Sequence, residues 1–133
     1  MPDRAALLAA NEAFYRAFAR ADMAAMLDVW TAGPLASCTH PGWPPLTDRD
    51  EIAESWRRIF EGQSAIAVAI AGAMAFAHGE CGYVLCYERI GDSVMAATNI
   101  FRREGGRWRL VHHQAGPVAQ MPEPRGDSPR RVH

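Results

Sequence analysis

Apolar residues recur at three- and four-residue steps near the start of the chain, at Leu7, Ala10, Phe14, Ala17 and Phe18. Arg4, Glu12, Arg16 and Arg20 fall mostly between them, which is the pattern of a helix with one face turned to a core. Asp22 then stands as the N-cap of a short second helix whose apolar positions are Met23, Met26, Leu27 and Trp30, ended by Gly33-Pro34. The segment Ala36 to His40 reads as a short strand, closed by the rigid loop Pro41-Gly42-Trp43-Pro44-Pro45. Asp48 with Glu51 three residues on forms a capping box. It opens a third helix that places Ile52, Ala53, Trp56, Ile59 and Phe60 on one face, with Gly62 positioned to end it.

Past Gly62 the period falls to two. Ile66, Val68 and Ile70 alternate with alanines, so this strand is expected to be buried on both faces. Longer strands follow from Gly82 to Arg89, Ser93 to Arg103 and Arg107 to Gln114, separated by the two-residue turns Gly91-Asp92 and Gly105-Gly106. Helices first and antiparallel strands afterwards define an α+β domain, with the helices covering one face of the sheet. The domain is expected to span residues 1–117. Residues 118–133, with Pro122, Pro124 and Pro129 among scattered charges, read as a flexible tail.

Composition narrows the chemistry. The 133 residues carry a net charge of -1, so no overall field draws the chain to nucleic acid or to an anionic membrane. All basic residues are arginine, which excludes a Schiff-base lysine and, with the many alanines, suits a GC-rich bacterial genome. The N-terminus has no apolar core of signal-peptide length behind it, and the most apolar stretch, Ala65 to Ala77, is too short to span a bilayer and is interrupted by Gly72. Cys38, Cys81 and Cys86 are an odd set without disulfide spacing, as expected of reduced thiols in the cytoplasm. No phosphate-binding loop, nucleophile elbow or zinc-ligand spacing is present, so neither a cofactor nor a metal is expected.

Carrying the two hairpin turns back along their strands, without a bulge, sets Asn99 across from His112, Phe101 across from Leu110, and Thr98 across from His113. Cys86 then meets Ala97, and Glu88 meets Met95. One face therefore carries Cys86, Glu88, Asn99, Phe101, His112 and Gln114 among apolar neighbours, the make-up of a small-molecule pocket. A histidine beside an amide on such a wall can move a proton while the amide holds an oxygen, so His112 and Asn99 are the candidate catalytic pair. Glu88, near a strand end, reads as a solvated carboxylate at the margin of the site. His40, Trp43 and Trp56 complete the candidate ligand-contacting set, with His40 and Trp43 at the pocket mouth. Tyr83, Tyr87 and His113 fall on the opposite face and suit a subunit interface.

Ala97 to Arg103 followed by Gly105 to His113 resembles the closing hairpin of SnoaL-like proteins of the nuclear transport factor 2-like superfamily. Phe14 to Phe18, His40-Pro41 and the helix start from Asp48 to Trp56 share the resemblance, which covers residues 5–117. It implies three helices packed on a strongly curved sheet, a pocket between them, and a homodimer formed through the sheet. Ketosteroid isomerase and scytalone dehydratase, enzymes of this fold, use acids, histidines or tyrosines in that pocket. No aspartate can be placed deep in the pocket here, and Asn99 and Ala115 stand where kinase association domains, which share the fold, carry arginines. Two functions follow from the resemblance. One is a cofactor-independent lyase or isomerase for an apolar carbonyl-bearing ligand, with His112 as its general base or acid and Asn99 holding the ligand oxygen. The other is a non-catalytic assembly domain.

Overall fold

The structure, a computed structural model, describes residues 2–119; the flexible tail expected over residues 118–133 falls mainly on residues 120–133, which lie outside them. The elements are α1 (Pro2–Ala19), α2 (Met23–Val29), β1 (Ser37–Thr39), α3 (Arg49–Phe60), β2 (Val68–His78), β3 (Cys81–Ile90), β4 (Ser93–Glu104) and β5 (Arg107–Pro117). Three helices and one curved, unclosed five-stranded sheet make this the α+β fold that the chain pattern implies. Strand order is β1-β5-β4-β3-β2, with β1 parallel to β5 and the other pairs antiparallel.

The local signals act as their chemistry predicts. The Asp22 carboxylate accepts from the Ala25 amide and the Asp48 carboxylate from the Glu51 amide, satisfying amides that the first turn of each helix leaves free. Gly62, at φ +73°, follows α3 in the left-handed conformation that a side chain disfavours. Gly105 and Gly106 both have positive φ, the requirement of a type I′ turn. α1 packs across β2, β3 and β5 and buries Leu7, Phe14, Tyr15, Ala17 and Phe18 against the sheet. α3 adds Ile52, Trp56 and Phe60 to the same core.

Two bulges depart from the expected register. In β2, Gly72 and Ala73 lie where the ladder slips between Ala71 and Met74, and the positive φ of Gly72 is the mark of a glycine bulge. β2 is an edge strand with Ala69 and Ala71 exposed, which corrects the expectation of burial on both faces. In β5, Ile100 pairs with His112 but Phe101 pairs with Leu110, leaving Val111 as an extra residue. From the turn to Leu110 the register is the expected one. Beyond Val111 it is displaced by one, so Asn99 pairs with His113 and Thr98 with Gln114. Successive residues of a strand point to opposite faces, and the slip therefore exchanges the faces of His112, His113 and Gln114. His113 is 1% exposed on the helix-covered face, while His112 and Gln114 lie on the outer one. The bulge falls where β5 changes its other neighbour, from a bridge with Trp30 at Leu110 to pairing with β1 from His112 onward.

At Gly82 the side chain of Leu7 on α1 leaves no room for a Cβ on the sheet. A Cβ there would lie 2.6 Å from Leu7 Cδ1 and 3.1 Å from the Phe76 carbonyl oxygen, and Leu7 is fully buried. Gly82→Ala is expected to lower stability by about 1–3 kcal/mol through overpacking. Urea denaturation measures it, and the loss in the double variant Gly82→Ala/Leu7→Val should fall short of the two single losses added together.

Candidate functional site

Between α1 and the inner face of β3, β4 and β5 lies a set of polar side chains with almost no solvent contact: Asn11, Tyr15, Glu88, Asn99 and His113. Asn11 and Tyr15 sit four apart on α1 and so share one helix face. Glu88, Asn99 and His113 come from three adjacent strands. The Asn99 amide nitrogen donates to Asn11 Oδ1 at 2.9 Å and to the Tyr15 hydroxyl at 3.1 Å. The Tyr15 hydroxyl donates to Glu88 Oε2 at 2.6 Å and accepts from the Cys86 thiol at 3.5 Å. His113 Nδ1 lies 2.6 Å from Asn99 Oδ1, and its Nε2 is 3.8 Å from Glu88 Oε2.

A second histidine approaches from β1. His40 is 3% exposed, with its Nε2 2.8 Å from Ser55 Oγ on α3. The single Ser55 hydroxyl proton is donated to the Ile52 carbonyl at 2.6 Å, so Nε2–H of His40 is the donor in the other contact. The His40 and His113 rings are 6.2 Å apart. Trp56 lies between α3 and both imidazoles, its ring 4.7 Å from His40 and 6.0 Å from His113, and Trp43 stands edge-on to His40 at 5.0 Å. Phe14, Trp56 and Phe101 are fully buried, so rings pack the interior. The Trp56 indole N–H has no hydrogen-bond partner there.

Burial governs the charge states. Desolvation drives His40 down to about 4. For His113 desolvation acts first and the neighbouring His40 and His112 add to it, bringing the group down to about 3. Burial raises Glu88 above the ordinary carboxylate value, opposed by the hydrogen bond from Tyr15. His113 and Glu88 are close enough for an ion pair, but a fully desolvated imidazole between two other histidines stays neutral at ordinary pH. Burial and the Glu88 carboxylate hold the Tyr15 phenol far above its ordinary range. Burial likewise pushes the Cys38 thiol up to about 12, so it is inert as a nucleophile. Among the described residues no three His, Cys, Asp or Glu side chains are grouped to hold a metal ion.

Of the residues singled out in the sequence, the structure brings together Asn99, Cys86, Glu88 and Phe101 on the inner face, with Trp56, His40 and Trp43 at one end. Glu88 is 1% exposed, which corrects the solvated carboxylate expected of it. His112 and Gln114 are not part of the cluster. His112 is half-buried on the outer face, its Nδ1 2.6 Å from Ser37 Oγ, beside a hollow of about 520 Å³ that Leu35, Ile100 and Val111 also line. Sequence reasoning missed Asn11, Tyr15 and Ser55 and put His113 on the wrong side. Asn11 was legible as a polar residue inside the apolar stripe that runs from Leu7 to Phe18.

A small α+β domain with helices packed on one face of a curved sheet and polar groups buried between them defines a class of fold that carries many functions. Within that class, the chain belongs to the SnoaL-like domain family, whose pattern matches residues 7–120. A proposed dehydratase of the NTF2-like family from Streptomyces avermitilis is 30% identical, with 90% of this chain and 98% of that one covered at a TM-score of 0.81. A proposed calcium/calmodulin-dependent protein kinase type II association domain from Thiobacillus denitrificans is 31% identical, with 83% and 93% covered at a TM-score of 0.72. A ketosteroid isomerase-like protein from Erwinia carotovora atroseptica shares the fold at a TM-score of 0.70 and 21% identity, with 89% and 98% covered. Among curated proteins, the F-box protein SKIP8 of Arabidopsis thaliana is 20% identical over 112 residues, and the match spans 48% of its length.

Neutral buried histidines tie stability to pH. Each is lowered in the folded state, so the unfolded chain binds protons that the folded chain does not once pH falls below the ordinary 6.5. Their contribution is present above 6.5 and is lost as pH falls through about 4 for His40 and about 3 for His113. Glu88, raised, acts in the opposite sense, its contribution present at low pH and lost as pH rises through its folded value. Unfolding free energy from urea titrations should therefore fall between pH 6.5 and 4.5, by up to about 1.4 kcal/mol per pH unit for each histidine. His40→Asn should flatten that slope.

Proposed function

We propose that this protein binds an apolar, carbonyl-bearing small molecule between α3 and the inner sheet face and acts on it as a lyase or isomerase without a cofactor. The observation that carries this reading is the burial of Asn11, Tyr15, Glu88, Asn99 and His113 beneath an unpaired Trp56 N–H. Apolar residues of similar volume would fill such a core at least as stably, so a polar cluster of this extent is better explained by chemistry than by folding. His113 takes the role the sequence suggested for His112. As a neutral imidazole it can accept a proton at ordinary pH. Both hydrogens and the oxygen of the Asn99 side chain already have partners, so the oxygen of the ligand falls to the Trp56 N–H. Trp43 and the loop from Pro41 to Pro45, edge-on to His40, form the gate.

The outer sheet face, with Tyr83, Leu85, Tyr87, Ile100 and Val111 half-buried in the single chain, is the surface for a homodimer. Three free cysteines suit the reducing cytoplasm, and no helix among the described residues is long and apolar enough to cross a membrane. The tightly packed interior and the likeness to the association domain support a second reading, a non-catalytic assembly domain whose polar core only orders the fold.

Native mass spectrometry on freshly purified protein separates the two. The enzyme reading expects a dimer that retains small-molecule mass, lost in His113→Gln and Trp56→Phe and kept in His112→Gln. Once the ligand is identified, His113→Gln should reduce turnover about 10²–10⁴-fold, the usual share of a general base. A larger ring without added mass, unchanged by His113→Gln, would transfer the assignment to assembly.

A further inference from the structure

We infer that Asn99, itself held by Asn11, fixes His113 as the tautomer protonated on Nδ1, so that Nε2 is a bare proton acceptor inside the fold. Asn99 is then a positioning residue that acts through His113.

The hydrogens around the cluster are few, and each has one acceptor to go to. The Tyr15 hydroxyl has one hydrogen, and the 2.6 Å separation from Glu88 Oε2 is the length of a hydroxyl donating to a carboxylate, shorter than the usual contact between neutral hydroxyl and oxygen. That oxygen can then only accept from Asn99, 3.1 Å away, which identifies the nearer Asn99 atom as the amide nitrogen. The second hydrogen of the same nitrogen meets Asn11 Oδ1 at 2.9 Å. What Asn99 turns to His113 is therefore its carbonyl oxygen, 2.6 Å from Nδ1. Two lone pairs cannot face each other at that distance, so Nδ1 carries the hydrogen. Nε2 has nothing to hold a proton in place: Glu88 Oε2 is 3.8 Å away, beyond hydrogen-bond reach.

The competing arrangement reverses the whole chain. Asn99 and Asn11 would both be turned over, Glu88 would donate to Tyr15, Tyr15 to Asn99, and the Asn99 nitrogen to His113 Nδ1, which puts the imidazole hydrogen on Nε2. The two arrangements make opposite statements about one atom. They also select different ligands. If the interior is the ligand site proposed above, a bare Nε2 requires a molecule that brings it a hydrogen, either a hydroxyl or an acidic C–H next to a carbonyl. A protonated Nε2 would call for an acceptor instead.

The test is a long-range proton–nitrogen correlation spectrum of the ligand-free, ¹⁵N-histidine-labelled protein at pH 7. His113 is identified among the five histidines by the pair of signals missing in His113→Gln. Expected is a protonated, pyrrole-type Nδ1 with a bare, pyridine-type Nε2. Asn99→Asp, which keeps an acceptor oxygen against Nδ1, should retain that pattern. Asn99→Leu should lose it in favour of the Nε2–H form. A wild-type spectrum with Nε2–H, or with both nitrogens protonated, overturns the assignment, as does the same tautomer in wild type and Asn99→Leu. Should Asn99→Leu not fold, Asn99→Ala, which also removes the acceptor oxygen, takes its place in the comparison with the same two outcomes. No ligand is needed, so the result stands apart from whether the interior binds one.

Discussion

One extra residue in β5 sets what the interior contains. With Val111 accommodated as a bulge, every later position of the strand changes sides, and the side chain that enters the space beneath α1 is His113. Asn99 then has an imidazole within 2.6 Å, Ala115 packs inward, and Gln114 is left in solvent. The bulge also adds local twist and bend, as does the glycine bulge in β2, so the same irregularities that choose the inward residues help curve the sheet around the helices.

The cluster that results is tolerable only because it is so nearly complete. A polar group without a partner in a core loses its hydration for nothing in return, whereas a paired one is close to neutral. Asn11, Tyr15, Glu88, Asn99 and His113 each find at least one partner in the set. On the α3 side, Ser55 satisfies His40 and is itself satisfied by a backbone carbonyl. Low polarity around these contacts strengthens them and also raises the penalty for losing any one of them. The cluster thereby ties α1 to β3, β4 and β5 by directional contacts that the surrounding Leu7, Phe14 and Phe101 cannot supply. Against this background the unpaired indole N–H of Trp56 is an exception, and it lies within ring contact of both buried imidazoles.

Much of this was legible in the residues themselves. The stripe from Leu7 to Phe18, the caps at Asp22 and Asp48, and the turns at Gly91-Asp92 and Gly105-Gly106 each rest on local physics, and each formed as local physics requires. The registers Cys86 with Ala97 and Glu88 with Met95 followed from one turn and needed nothing further. Register beyond Leu110 was not legible, because Val111 gives no sign of a bulge. A β-branched residue belongs in regular strand, and the irregularity arises where two different segments, around Trp30 and Ser37, pair in turn with the far side of β5. The burial of Glu88 is not legible for a similar reason. Its position near a strand end suggests solvent, and only the placement of α1, with Tyr15 above it, encloses the carboxylate. Asn11 could have been found by asking why an amide stands on the apolar face of a helix.

The histidine doublet gives the bulge a further meaning. In the register that β5 would adopt without its extra residue, His112 would stand opposite Asn99; in the register it has, His113 does. An imidazole therefore reaches the interior in either phase of the strand. A one-residue insertion just after Val111, ordinarily ruinous for a half-buried strand, would here bring His112 opposite Asn99 and leave the residue type at the central position unchanged. Adjacent repetition of a side chain thus serves as tolerance to frame slippage, and a lineage could cross such a length change without first losing the group on which the interior is built.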